Sequence, residues 1–330
     1  MPALRQTAER HRLARLLEVP LERVDFLASL DSSELASLYE ACRRALGDAH
    51  RPLFRRLARS SRLLPAALTA WIAEHTLGPL LAARIAGEMS VPATLALCQH
   101  LSPAFMAEVT LHMELERLDD VALALPLEDI HAVAHELLAR GEYMMLGELV
   151  DRMPAGIVEA VIKEVRATEG MLRTSLFIRE PARLMALLGQ LPPAAIGGLV
   201  RAAADPAQGL MPHGLFLLQR VTPAWQRRLV DTALVEGKEL LTNCIREVQR
   251  LGLWASAVPL VALMDSAARR QLLALPVWSE DAALLADALR QAADPGLRPH
   301  ILGLLAELSP AAREQALAML AQANAGPPPA

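Results

Sequence analysis

Leu127-Glu-Asp-Ile-His-Ala-Val-Ala-His-Glu-Leu-Leu-Ala-Arg-Gly-Glu-Tyr143 is the stretch that decides the fold. Ile130, Val133, Ala134, Leu137 and Leu138 fall at i, i+3, i+4, i+7 and i+8, which is one face of an α-helix. Pro126 stands before it, and Gly141 stands where a helix closes with a left-handed residue. The next helix, from about Glu142 to Arg152, carries Met145, Leu146, Leu149 and Val150 and ends before Met153-Pro154. Helices this short are marginal in water on their own. Neighbours must hold them, with each buried Leu or Val worth roughly 1.5–3 kcal/mol. Pro126 to Pro154 therefore reads as one helix pair.

The same punctuation recurs along the chain. Leu64-Pro65, Val91-Pro92, Leu101-Ser102-Pro103, Leu125-Pro126, Met153-Pro154, Leu191-Pro192, Val221-Thr222-Pro223 and Leu308-Ser309-Pro310 each precede an amphipathic segment. Proline at a helix start loses no hydrogen bond, whereas in a helix interior it costs about 3 kcal/mol. Each therefore marks a helix start, with Ser102, Thr222 and Ser309 as expected N-caps. Residues 264–275 and 308–320 also share a pattern (Ala-Ala-Arg-x-Gln, then a Leu-rich run) at an offset of 44, and 221–230 lies 43 residues before the first. Two helices per unit at about that period is the pattern of HEAT-like arrays.

Composition agrees. Hydrophobic residues make up 53% of the 330 residues and aromatic ones only 3%, so the apolar content is mainly Leu, Ala, Val and Met. Leu and Ala favour helices, and the residues that suit strands are sparse. The expected fold is all-α, an α-solenoid of short antiparallel helix pairs. A mean hydropathy of +0.27 raises the question of a membrane. The longest uncharged stretch, Met89 to Ala107, is broken by Pro92 and Pro103, and it reads as two short buried helices rather than a span. The charged N-terminus lacks the apolar run of a secretory signal, so a cytoplasmic location is expected. Cys42, Cys98 and Cys244 show no metal-ligand spacing and read as reduced, buried thiols.

Charge divides the chain. Net charge is +4 over residues 1–62, −10 over 63–164 and +2 over 165–330. The expected divisions are a basic helical cap at 1–62, acidic short-helix repeats at 63–168, HEAT-like pairs at 169–322 and a disordered tail at 323–330.

Residues 89–165 resemble the helical N-terminal domain of the MgtE-type magnesium transporters. Leu125-Pro126-Leu127-Glu128-Asp129-Ile130 carries the likeness, with Leu101-Ser102-Pro103 and Met153-Pro154 as looser echoes. That domain is a superhelix of short helices, so the resemblance implies a solenoid. It does not imply transport, since the transporter family's nucleotide-binding-type and membrane domains have no counterpart here. Acidic residues of that domain take part in magnesium sensing, and Glu128 and Asp129 stand at the matching helix start.

Two clusters bear on function. Glu128, His131, His135 and Glu136 offer an i, i+3, i+4 set of divalent-metal ligands, to which His112, Glu108 and Glu116 could add. A second Glu-x-x-His is missing, and His-Ala-Val-Ala-His is not a zinc-protease motif. The competing reading is a solvated face with acids in the first turn, where the helix dipole favours them. Arg51, Arg55, Arg59 and Arg62, spaced 4, 4 and 3, form a basic stripe with Arg43, Arg44 and Arg56 near it. It suits an acidic protein partner or docking on the chain's own acids. One interleaved aromatic, Phe54, is too few for base stacking, and the net charge of −4 disfavours nucleic acid. Trp225 and Trp278 are candidate partner anchors on a concave face; core or groove residues is the plainer reading. Gly197-Gly198 follows Pro192-Pro193 but precedes no strand, and reads as close helix packing or a break. There is no G-x-S-x-G, P-loop or G-x-G-x-x-G.

Three functions follow. The first is a non-enzymatic scaffold or accessory protein without a cofactor, binding a protein partner along its helices, with peripheral membrane contact as an additional possibility. The second is a metal-binding enzyme or sensor at Glu128, His131 and His135. The third is an apolar-ligand carrier, suggested by the Met- and Leu-rich segment Met89–Met153.

Overall fold

In the computed structural model, residues 2–17, 19–48, 50–164, 168–291, 294–308, 313, 314 and 316 are described. Among them there are helices, turns and bends and no strand, so the fold is all-α. The proposed tail at 323–330 and most of the third repeat at 308–320 lie outside the described residues.

Two compact units divide the chain. One comprises residues 1–166 with 174–190, the other residues 167–173 with 191–330. Residues 1–62 and 63–166, set apart by charge, belong to the same unit.

In the first unit, alternate helices stack. Arg51–Ser61, Gly78–Gly87, Pro103–His112, Leu127–Ala139, Ala155–Glu164 and Pro181–Gln190 form a row in which each packs on the next. Ala66–Ile72, Val91–Cys98 and Leu115–Ala122 form a second row. Arg152 continues it by a bidentate bond to Asp119, joining helix Tyr143–Arg152 to Leu115–Ala122. The N-terminal helices Pro2–Leu16 and Ser32–Asp48 pack together, with Leu13, Ala14 and Val24 as their core.

The opening stretch folds as its periodicity predicts. Leu127–Ala139 is a helix, and Leu137 and Ala134 are buried with Ala107 and Leu146 in one cluster. Gly141, at φ +74°, closes it: its N–H donates to Leu138 O at 3.0 Å and that of Glu142 to Leu137 O at 2.8 Å. These are the two bonds of a Schellman cap, and they need a residue without a Cβ penalty at this φ. The partner helix is Tyr143–Arg152.

Within the described residues the prolines start helices, though not all at the first helical position. Pro65, Pro126 and Pro192 occupy the N-cap instead. Ser102 caps as expected, its side chain accepting from Phe105 N at 3.2 Å. Thr222 stands at the N-cap but makes no side-chain cap bond. Ser309 and Pro310 lie outside the described residues.

In the second unit, Pro193–Ala204 packs on Met211–Arg220, Pro223–Glu236 and Lys238–Arg250, Pro223–Glu236 packs on Val258–Leu263, and that segment on Arg298–Leu305. Gly197 and Gly198 sit inside Pro193–Ala204, where added Cβ atoms would meet Glu236 Oε1 at 2.5 Å and Thr168 Cγ2 at 2.8 Å. The glycines serve close helix packing and do not break the helix.

Candidate functional site

The expected metal cluster does not assemble. Glu128 and His135 are exposed and His131 is half-buried on helix Leu127–Ala139. Among the described residues, no group of three or more His, Cys, Asp or Glu side chains is placed to hold a metal. The acids that would complete a site answer cations instead. Arg140 takes Glu108 at 2.6 Å and Glu136 at 3.6 Å, and Glu116 lies 3.6 Å from Arg43. A guanidinium therefore stands between two of the carboxylates that would have to converge on an ion.

The arginine stripe splits in two. Arg51 and Arg55 donate to the two oxygens of Glu88, at 2.6 and 2.7 Å. Partial burial pulls the Glu88 carboxyl up, but the bonds from Arg55 and Arg51 together outweigh it and hold the group below the ordinary glutamate range. Arg59 and Arg62 are exposed, as is Arg56 beside them, and none of the three makes an ion pair among the described residues. Among the described residues, the cations of this stripe without an ion pair are thus Arg56, Arg59 and Arg62.

Sequence reasoning missed what lies next to them. Leu53, Leu57, Leu63, Leu64, Leu68 and Trp71 are all exposed, Leu63 at 86% and Trp71 at 55%. Those six lie within residues 53–71 and are nearly half of the exposed large hydrophobics among the described residues. Leu68 and Trp71 fall at i and i+3 on helix Ala66–Ile72, so they share a face, and Leu63 and Leu64 stand in the turn before it. Trp71 is held by stacking on His75, with ring centroids 5.1 Å apart. The available signal was the helical spacing of Leu68 and Trp71, which by itself cannot tell a face that packs inward from one that meets water.

A cavity in the first unit is lined about equally by polar and apolar groups. It holds Arg12, Arg43, Arg84, Glu114 and Glu148 and measures about 80 Å³. Each arginine there already faces a carboxylate: Arg12 pairs with Glu148, Arg43 with Glu40 at 3.0 Å, and Arg84 lies 3.9 Å from Glu114. Arg12 also lies over the Tyr39 ring at 4.5 Å. The arrangement is a neutralised internal cluster rather than an anion site.

The two tryptophans part company. Trp225 is half-buried, with the Arg228 guanidinium 4.7 Å above its ring. Trp278 lines an apolar cavity of about 220 Å³ inside the second unit, together with Trp254. Their rings are 6.3 Å apart. Both indole N–H groups are satisfied, Trp254 by Gln249 Oε1 at 2.7 Å and Trp278 by Leu272 O at 2.8 Å. Cys244 also lines it, and burial pushes that thiol up to about 12. Cys98, in the first unit, is pushed up to about 11 by burial and then by Asp129. Neither thiol is a nucleophile near neutral pH, and Cys42, Cys98 and Cys244 are all free and half-buried.

No protein-family profile, curated protein or solved structure matches the chain.

Proposed function

We propose that the protein is a helical-repeat scaffold, an α-solenoid in the sense suggested by its proline punctuation, that binds an acidic amphipathic segment of a protein partner. One observation carries this reading: six exposed large apolar side chains and three arginines without an ion pair among the described residues share residues 53–71. Exposed apolar side chains and these arginines in one short segment favour a partner whose own apolar residues are flanked by carboxylates.

The helix contacts support the repeat reading. Polar links between side chains recur from one helix to the next but one. Examples are Arg140 to Glu108 across 32 residues, Arg152 to Asp119 across 33 and Arg201 to Glu236 across 35. A regular stack of short helices exposes long surfaces, and such surfaces suit extended partners. No single helix among the described residues is long and apolar enough to cross a membrane.

The test uses two labelled synthetic helical peptides with Leu along one face, one carrying Glu on its flanks and the other Lys. The acidic peptide should bind the full chain. Arg56→Glu/Arg59→Glu/Arg62→Glu should weaken it about tenfold or more, three exposed charge pairs being worth roughly 0.2–1 kcal/mol each. Trp71→Ala should weaken it by at least about fivefold, as loss of an aromatic anchor does. Equal binding of both peptides, or binding only to vesicles of anionic phospholipid, would overturn the reading.

A further inference from the structure

We infer that the second unit holds a binding site for a single medium-length alkyl or acyl chain. Four features of its interior cavity point there. The first is size. The cavity is about 220 Å³, against ~150 Å³ for an engineered apolar cavity that stays dry and takes benzene. In proportion, it takes roughly nine carbon atoms.

The second is chemistry. Its lining is Leu, Val, Ile, Ala, Met, Trp and Gly, with the Cys244 thiol as the single titratable group among the lining side chains. No carboxylate, cation or amide lines it, and the two tryptophans turn their N–H groups to other partners. Water in such a space lacks the two to four polar contacts it needs. A ligand with a buried polar group would likewise leave that group unsatisfied at a cost of several kcal/mol. The occupant is therefore aliphatic along its buried length, and any headgroup stays outside.

The third is form. Every helical segment from Pro193–Ala204 to Arg298–Leu305 contributes to the wall. Packed helices stand about 8–10 Å apart. A rounded void of this volume touches only a few of them, so one that touches all of them is longer than it is wide. That favours a chain over a ring. The fourth is adaptability. Met211, Met264 and several leucines line the cavity, and flexible thioether side chains repack around ligands of differing shape. The sequence had placed an apolar carrier at Met89–Met153; the cavity lies in the other unit.

The experiment uses the full chain with Trp71→Phe and Trp225→Phe, so that Trp254 and Trp278 alone emit. The probes are 10-bromodecan-1-ol and 10-bromodecanoic acid, whose terminal bromine quenches indole fluorescence on contact. Both should quench saturably at one per chain, with affinities within about threefold of each other because the headgroup remains in water. Ala233→Leu/Ala257→Leu fills the cavity from two sides and should weaken binding at least about tenfold. Circular dichroism melting shows whether that variant is folded; if it is not, Ala233→Leu alone serves the same comparison. Quenching that rises linearly without saturation, or that persists unchanged in a folded filled variant, would overturn the assignment.

Discussion

Gly147 and His213 are two residues whose behaviour follows from their surroundings and not from their type. A Cβ at Gly147 would lie 2.6 Å from the Cβ of Phe177 and 2.9 Å from its carbonyl carbon. Backbone cannot yield as a side-chain tip can, so Gly147→Ala should destabilise the chain by about 1–3 kcal/mol. Gly303 is also helical but has nothing within 4 Å of its Cβ direction. Gly303→Ala should therefore stabilise, by roughly 0.5–1 kcal/mol. Thermal melts of the two variants should move in opposite directions, and a rise for both would refute the packing argument. His213 has Nδ1 buried without a hydrogen-bond partner among the described residues. Burial, and then the charge of Arg173, lowers its pKa. The folded state thus resists a proton that the unfolded state accepts below about pH 6.5. Stability is full above that value and falls as pH drops through the window down to the depressed folded value. Denaturant midpoints at pH 7.5 and 5.5 should differ, and His213→Leu should shrink the difference. Glu88 does not interfere, because its lowered carboxyl loses its contribution only at more acidic pH. Neither residue was legible in the sequence. Phe177 is 30 positions from Gly147, and nothing local to His213 announces its burial. The metal reading of Glu128, His131 and His135 failed to find a site for the same reason. Arg140 stands in the very stretch that suggested it, but its partner Glu108 belongs to Pro103–His112, two helices before.

At the scale of the element, much more could be read. Alternation of short apolar stripes with prolines predicts short helices because propensity, period and the missing proline N–H all act within a few residues. Capping was half legible. Ser102 and Thr222 have the same local pattern, X-Ser/Thr-Pro before a helix. Only Ser102 accepts a cap bond, and its hydroxyl also donates to Glu74 on a neighbouring segment. Ser102→Ala should cost about 1–2 kcal/mol, since it loses a cap and the hydroxyl bond to Glu74. Thr222→Ala should stay within about 0.5 kcal/mol. Chemical denaturation of the two variants decides this, and equal costs would refute it. The arginine stripe shows the limit of reading an element alone. Period places Arg51, Arg55, Arg59 and Arg62 together, but Glu88, 33 residues beyond Arg55, decides which of them stay free.

For the molecule as a whole, the fold class was legible and the grouping of helices was not. Charge suggested a break near residue 62, yet residues 1–166 with 174–190 form one compact unit. Charge is a property of surfaces, whereas units are defined by shared interiors, which composition along the chain does not reveal. Each unit has buried residues of its own, such as Leu137 in the first and Ile196 in the second, at 0% and 1% exposure. In stacked helical arrays, stability is close to a sum over neighbouring elements. A cavity in one unit should therefore loosen that unit first. Either Leu137→Ala or Ile196→Ala removes about 2–5 kcal/mol of local packing. Amide hydrogen exchange read by mass spectrometry should show Leu137→Ala deprotecting helices such as Pro103–His112 and Tyr143–Arg152, which share its cluster, while Lys238–Arg250 keeps its protection. Ile196→Ala should do the reverse, deprotecting Pro223–Glu236 and Lys238–Arg250 and sparing Leu127–Ala139. If either substitution lowered protection equally in both units, the chain would be opening as one cooperative body, and the division into two self-supporting interiors would be wrong.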